Sequence, residues 1–558
     1  MALSLSAKKL MAKKFLILIV FLFTTNFLFA QQTKKADKPK LVVGLVVDQM
    51  RWDYLYRYYD RYGEGGFKRL LNDGFSCENT FINYLPSYTA VGHTVIFTGS
   101  IPAIDGIVGN DWIDQITGRS WYCTEDTSVQ TVGASGNAGE MSPNNLLVST
   151  ITDELRLATN FRSRVVGVSL KDRAAILPAG HTANGAFWFD DASGRFITST
   201  YYMKDLPDWA KKFNANDEPG KLVANGWNTL YPINTYKQSS TDNVSWEGKF
   251  KGENAPVFPH EMKNIYKDDP GSIRSTPFGN TLTLDFAEAA VNGYNLGHGE
   301  ATDFLTINCA STDYVGHKYG PNSIEVEDTY LRLDKDFAAF FRFLDEKVGK
   351  GNYLLFLTAD HGAAHAIGFM KEHHIPADFI VSNEIGVPLN EFLTKKFGVE
   401  KLVSSSVNYH LGFDLKKISE NNLDYETVKK ATVSFLQKLP GVQFAVDIDH
   451  IGDAPVPEPI KTMIINGYNT KRCGPVMIIP EPGWFGGYKG GTGTTHGNWN
   501  PYDTHIPLVF MGWNIKHGAT NRDIMMSDIS PTLAALLHIQ MPNGNVGEVI
   551  NEVVELGE

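Results

Sequence analysis

Five short apolar runs, each rich in β-branched or aromatic residues, constrain the fold of this chain more than anything else in it. The first, residues 41–47, reads Leu-Val-Val-Gly-Leu-Val-Val and is closed by Asp48. The others span 164–170, closed by Lys171; 304–308; 353–358, followed shortly by Asp360-His361; and 506–511. Apolar runs without polar alternation read as strands covered on both faces, as in a parallel sheet. Between them, residues 52–71, 323–348 and 527–537 carry apolar side chains at helical spacing. Strands alternating with helices predict an α/β/α sandwich around a mostly parallel central sheet.

Two segments break the rhythm. Residues 181–300 are rich in Gly, Asn, Trp and Tyr, and residues 370–480 mix short strands with a helix. Both are expected as cap segments inserted over one end of the sheet, within one catalytic domain spanning 41–558. Residues 1–30 read as a signal peptide: Lys13-Lys14 precede an apolar stretch over 15–23, and Ala30 stands before Gln31-Gln32. Met11 is as good a start as Met1. Residues 31–40 read as a polar linker. The apolar stretch is shorter than the ~20 residues a bilayer span needs. The expectation is therefore export to the periplasm or the exterior, with no stable membrane insertion after cleavage.

The formal net charge is −11, and no Lys/Arg block follows residue 40. That excludes broad attraction to nucleic acid, so an anionic substrate must be held by a local group of cations. The four cysteines, Cys77, Cys123, Cys309 and Cys473, form no Cys-x-x-Cys pair, which argues against a thiolate metal site. Their pairing is not legible from spacing.

Open α/β sheets place ligands beyond the carboxyl ends of their strands. The polar residues expected there are Asp48, Lys171, Asp313 with His317, and Asp360 with His361; the glycine-rich loop 486–497 adds His496. Three Asp and three His match two tri-liganded zinc ions with open positions for substrate. Each fragment alone has a plainer use: a helix cap for Asp48, or a surface pair for Asp313 and His317 on one helical turn. It is the set, at successive strand ends, that points to chemistry. Thr89 precedes a helical stretch, where free N–H groups and the helix dipole favour an anion. Lys171 and Arg173 flank Asp172; on an extended segment, alternate residues share a face, which would aim both cations at one target.

Seven segments then occur in order: Val-Val-Asp48-Gln-Met, Thr89-Ala-Val-Gly-His, Gly-Asn110-Asp-Trp, Lys171-Asp-Arg173, Asp313-Tyr-Val-Gly-His317, Thr-Ala-Asp360-His361-Gly and Thr-His496-Gly. From residue 41 onward the chain resembles the alkaline phosphatase superfamily, in particular the exported bacterial enzymes of the PafA type. The resemblance implies one zinc on Asp48, Asp360 and His361, with Thr89 as a further ligand. It implies a second on Asp313, His317 and His496. Thr89 would accept the phosphoryl group of a small phosphomonoester and be freed by hydrolysis. Asn110, Lys171 and Arg173 would bind the non-bridging oxygens, in a monomer with an alkaline optimum. A monoester offers three such oxygens and a diester fewer, so the Lys/Arg pair favours the monoester. Related phosphodiesterases and nucleotide pyrophosphatases, which share the ligands and the threonine but not this pair, are the alternative. A sulfatase would need Cys or Ser in a C/S-x-P-x-R segment, which is absent, and loop 486–497 lacks the P-loop order. An exported zinc-dependent binding protein would lack the nucleophile or a ligand, and none is missing.

Overall fold

The computed structural model describes residues 38–555, so the signal peptide and most of the linker lie outside the described residues. The first run forms the strand Leu41–Val47, buried at every position. It pairs in parallel with Asp303–Cys309 on one side and Tyr353–Thr358 on the other. Val165–Ser169 extends the parallel set beyond Asp303–Cys309, and Gly185–Asp190 follows it. On the opposite flank the direction reverses, with Leu508–Gly512 antiparallel to Tyr353–Thr358. Phe75–Phe81 then pairs with Leu508–Gly512, within a sheet of eleven strands. The sheet is thus parallel at its centre, where the site residues leave it, and mixed toward its edge. The expected run 506–511 is split by Pro507 into His505–Ile506 and Leu508–Gly512, since proline has no N–H to give a ladder.

Helices pack their apolar faces on the sheet. Phe67, Phe286, Leu333, Phe337 and Leu533 share one core with Val43, Leu305 and Leu355. Ser323 caps the long helix Ile324–Leu344 by accepting the Val326 N–H. All four cysteines are buried as free thiols.

Part of the segment 181–300 belongs to the sheet itself. Gly185–Asp190 reads Gly-Ala-Phe-Trp-Phe-Asp, an apolar run that the surrounding polar composition masked, and it pairs onward with Arg195–Ser199. The helix Phe278–Tyr294 likewise puts Leu282 and Phe286 into the main core. Within 370–480 the strands Val403–Val407, His410–Phe413, Val476–Pro480 and Val442–Asp447 form a separate antiparallel sheet. It has its own core of Leu389, Leu411, Val428 and Val476. A short hairpin, Asp111–Ile113 against Ser120–Tyr122, forms a two-stranded sheet of its own.

Candidate active site

The strand ends bring the expected residues together. Asp48 follows the first strand, and Asp360 and His361 follow Tyr353–Thr358. Asp313 and His317 sit one turn apart on the helix Ser311–Tyr319. Thr89 is the first residue of the buried helix Thr89–Thr98, entered from an extended Tyr88. His496 is fixed by its Nδ1, 2.7 Å from the Ser87 carbonyl. His361 stands at the centre: its Nε2 lies 3.3 Å from Thr89 Oγ1, 3.3 Å from Asp360 Oδ2 and 3.7 Å from Asp48 Oδ1. Its ring stacks on His496 at 3.4 Å. His317 Nε2 lies 3.0 Å from Asp313 Oδ1. Lys171 Nζ donates to Asp48 Oδ2 at 2.9 Å and to Asp313 Oδ2 at 2.6 Å, with Thr89 Oγ1 at 3.4 Å.

At these strand ends two groups of side chains have ligand atoms within 4.8 Å of one another: Asp48, His93 and Asp360, and Asp313, His361 and His496. The resemblance implies a different partition, with His361 beside Asp48 and Asp360, and His317 completing the other set. The reason is position: His361 lies between the groups and reaches both. His93, one helical turn after Thr89, has its Nδ1 2.9 Å from the Thr89 carbonyl and 3.3 Å from Asp360 Oδ2.

The donor set suits divalent cations. Asp48 and Asp360 are fully buried, yet Asp48 Oδ1 and Asp360 Oδ2 have no hydrogen-bond partner, nor has His93 Nε2. Three buried carboxylates face one lysine, a charge deficit that an apolar interior does not tolerate unpaired. Burial, with Asp360 adding to it, holds the Asp48 carboxyl well above its ordinary range. Burial acts the same way on Asp313, but His317 and Lys171 outweigh it and hold that carboxyl well below. Burial also opposes the charge on Lys171, but Asp313 and Asp48 outweigh it and raise its pKa. Lys171 is therefore a fixed cation.

Ser87, the neighbouring hydroxyl, is turned away and donates to the Asn498 carbonyl at 3.2 Å. Asn110 Oδ1 accepts the Ala90 N–H at 3.0 Å, which leaves its NH2 to offer to another oxygen. The Lys171/Arg173 pair is not on an extended segment. Lys171 is the last extended residue, and Arg173 already lies in the first turn of the helix Asp172–Ala179. Asp172 starts that helix because a carboxylate is favoured at its positive end, where it accepts the Arg173 N–H at 2.6 Å. The two cations thus have separate partners. Lys171 joins the carboxylates, while Arg173 Nη1 donates to Tyr122 Oη at 3.0 Å. Arg173 Nε is buried without a partner. Both line a recess of about 270 Å³ with Tyr122, Trp188, Phe189 and Arg274.

Sequence reasoning gave no role to Gln49. Its backbone is left-handed (φ 62°), its N–H donates to Asp360 Oδ1 at 3.1 Å, and its Nε2 donates to Asp313 Oδ1 at 2.6 Å. One residue thus braces carboxylates of both groups; its only signal was adjacency to Asp48. Asp503 supports the other side: its carbonyl accepts the Gly362 N–H at 2.7 Å, and its Oδ2 accepts the Asn498 N–H at 2.8 Å. His373 and His374 are exposed beyond the helix Ile367–Glu372, outside both groups.

Residues 42–503 match the family model described as type I phosphodiesterase / nucleotide pyrophosphatase. The alkaline phosphatase PafA of Elizabethkingia meningoseptica is 55% identical over 539 residues, covering 96% of this chain and 98% of that protein. A Myroides odoratus protein named calcium-transporting ATPase is 54% identical over 526 residues, covering 94% and 96%. The crystal structure of wild-type PafA matches with a TM-score of 0.91 at 56% identity, covering 93% of this chain and 99% of that one. A solved PafA variant, substituted at one threonine, one asparagine, one lysine and one arginine, matches with a TM-score of 0.90 at 55% identity, covering 92% of this chain and 99% of that one.

Proposed function

The chain belongs to the type I phosphodiesterase / nucleotide pyrophosphatase family, among its alkaline phosphatases, and we propose that this phosphomonoesterase works through Thr89. The observation that carries the reading is the meeting of Thr89 Oγ1 with Lys171 Nζ and His361 Nε2, beside carboxylate oxygens that have no hydrogen-bond partner. Asp48, Asp360 and His361 would hold one zinc ion and Asp313, His317 and His496 a second, and the bound ions would supply Lewis acidity. The chain's own groups do the rest. Thr89 Oγ1 gives its proton to solvent and bonds to phosphorus as the bond to the ester oxygen breaks, the alcohol leaving with a proton from water, at a helix start whose dipole favours the negative charge. Lys171, held protonated, acts as a cation and not as a base. The Asn110 NH2 and the unpaired Arg173 Nε take non-bridging oxygens, which disperses charge as the phosphoryl group transfers. Water then releases phosphate from Thr89. The residue types substituted together in the PafA variant are those of Thr89, Asn110, Lys171 and Arg173.

The basic and apolar start of the sequence supports export, and the buried free thiols need no oxidant for folding. The name of the Myroides relative joins ATP hydrolysis to calcium transport. The terminal phosphoryl group of ATP suits the same site, and no helix among the described residues is long and apolar enough to cross a membrane.

The test is kcat/KM for p-nitrophenyl phosphate beside bis-p-nitrophenyl phosphate, on zinc-loaded protein at about pH 8.5. We expect a large monoester preference and a loss of roughly a thousandfold or more in Thr89→Ala. Diester preference would overturn the monoester assignment, and full activity in Thr89→Ala would overturn the nucleophile.

A further inference from the structure

We propose that Tyr122 is the positioning residue for Arg173, and that the hairpin ending at Tyr122 sets Asn110 and Arg173 on the phosphoryl group as one unit. The inference rests on the reading above, in which those two side chains bind non-bridging oxygens.

The Tyr122 hydroxyl is used in both directions. It donates to Asp172 Oδ1 at 2.5 Å and accepts from Arg173 Nη1 at 3.0 Å. Burial pushes the Tyr122 phenol well above its ordinary pKa, so it keeps the proton it gives to Asp172. Asp172 Oδ1 also accepts the Arg173 N–H at 2.6 Å. Side chain and backbone of Arg173 are therefore tied to one Tyr–Asp pair, and the Asp172 carboxylate is 3.9 Å from the guanidinium. An arginine carries several rotatable bonds, and fixing them before substrate arrives removes a cost from binding. The clamp uses one of the guanidinium's five N–H donors and leaves the others, the buried Nε among them, for an incoming oxygen.

The same hairpin fixes Asn110. The strands Asp111–Ile113 and Ser120–Tyr122 pair in register, Asp111 opposite Tyr122, and the next N–H, that of Cys123, donates to the Asn110 carbonyl at 2.9 Å. Asn110 and Tyr122 thus stand at the open ends of one two-stranded unit. That unit is anchored by buried Trp112, with the Arg472 guanidinium 4.7 Å above its ring, and by Asn408 Nδ2 donating to the Asp111 carbonyl at 2.7 Å. Arg472 and Asn408 both come from the segment 370–480. A group that reads non-bridging oxygens helps the monoester more than the diester, so the hairpin is an element of specificity as well as affinity.

The test is a double-mutant cycle of Tyr122→Phe and Arg173→Ala on the full zinc-loaded chain, with both p-nitrophenyl substrates. Phenylalanine keeps the ring and removes only the hydroxyl. We expect Tyr122→Phe to lower monoester kcat/KM roughly tenfold, most of it in KM, and to leave diester turnover within roughly twofold. In the Arg173→Ala background the same change should cost almost nothing further. Zinc content and Tm of Tyr122→Phe should match the parent. Equal losses on both substrates, or the full loss repeated without Arg173, would overturn the inference while leaving the phosphatase reading intact. An Arg173→Ala variant with unchanged monoester activity would overturn the inference together with the oxygen-binding role on which it rests.

Discussion

Gln49 shows how much of the site depends on a single residue that holds no substrate. A left-handed backbone is uncommon outside glycine, and here it lets the N–H reach Asp360 while the side chain reaches Asp313. Groups that orient metal ligands typically matter by 10–100-fold in affinity or activity. Gln49→Ala is therefore expected to lower metal affinity by roughly tenfold or more, read by metal analysis after dialysis against a weak chelator. Full retention of both ions would refute the bracing role. At this scale the sequence was legible where chemistry dictates residue type. Asp48, Asp313, Asp360, His317, His361 and His496 could be named because few other side chains fill such a set, whereas His93, beside Asp360, was not. Gln49 and Tyr122 could not, because hydrogen bonds between distant segments leave no local pattern.

Among the elements, the helix Thr89–Thr98 is placed by what it lacks. A Cβ on Gly92 would lie 2.3 Å from the Asp360 carbonyl oxygen and 2.7 Å from the Asp360 Cβ, so the helix touches the end of the Tyr353–Thr358 strand at that glycine. Gly92→Ala should force helix and strand apart at a cost of about 1–3 kcal/mol. It should also move Thr89 from the Asp360 group, cutting kcat far more than the stability loss explains. Activity and chemical denaturation measured side by side check this; a variant that is destabilised but fully active would count against it. The strands of the parallel core around Leu41–Val47 were readable because both-face burial writes itself as unbroken apolar runs. The start of the Lys171 helix was not, since a residue just after a strand reads as extended until its cap is seen. Nor was Gly185–Asp190, a sheet strand set in a polar neighbourhood.

Across the whole molecule, His260 ties the segment 181–300 to the long helix. Its Nδ1 lies 2.8 Å from Glu253 Oε1, and its Nε2 lies 3.4 Å from Glu325 Oε1. Burial opposes its charge, but the two carboxylates outweigh burial and push its pKa up to about 9. The unfolded value is about 6.5, so folding strengthens proton binding. The resulting stability is complete below about pH 6.5 and drains away as pH rises through about 9. His260→Gln should therefore lower stability by roughly 3 kcal/mol near pH 6, with the Tm gap to the parent closing by about pH 10. A gap independent of pH would show that only ring packing matters. The sheet carries a different consequence, one of timing. Its central strand, Leu41–Val47, is made early, yet its partners are Asp303–Cys309 and Tyr353–Thr358, and the site it opens is not complete until His496 arrives. Such distant pairings make loop closure slow and leave the first strand without its neighbours while most of the polypeptide is being synthesised. The catalytic centre is therefore completed only after every strand of the parallel core has been made. A chain stopped between residue 358 and that loop holds every strand of the parallel core and still has no enzyme in it.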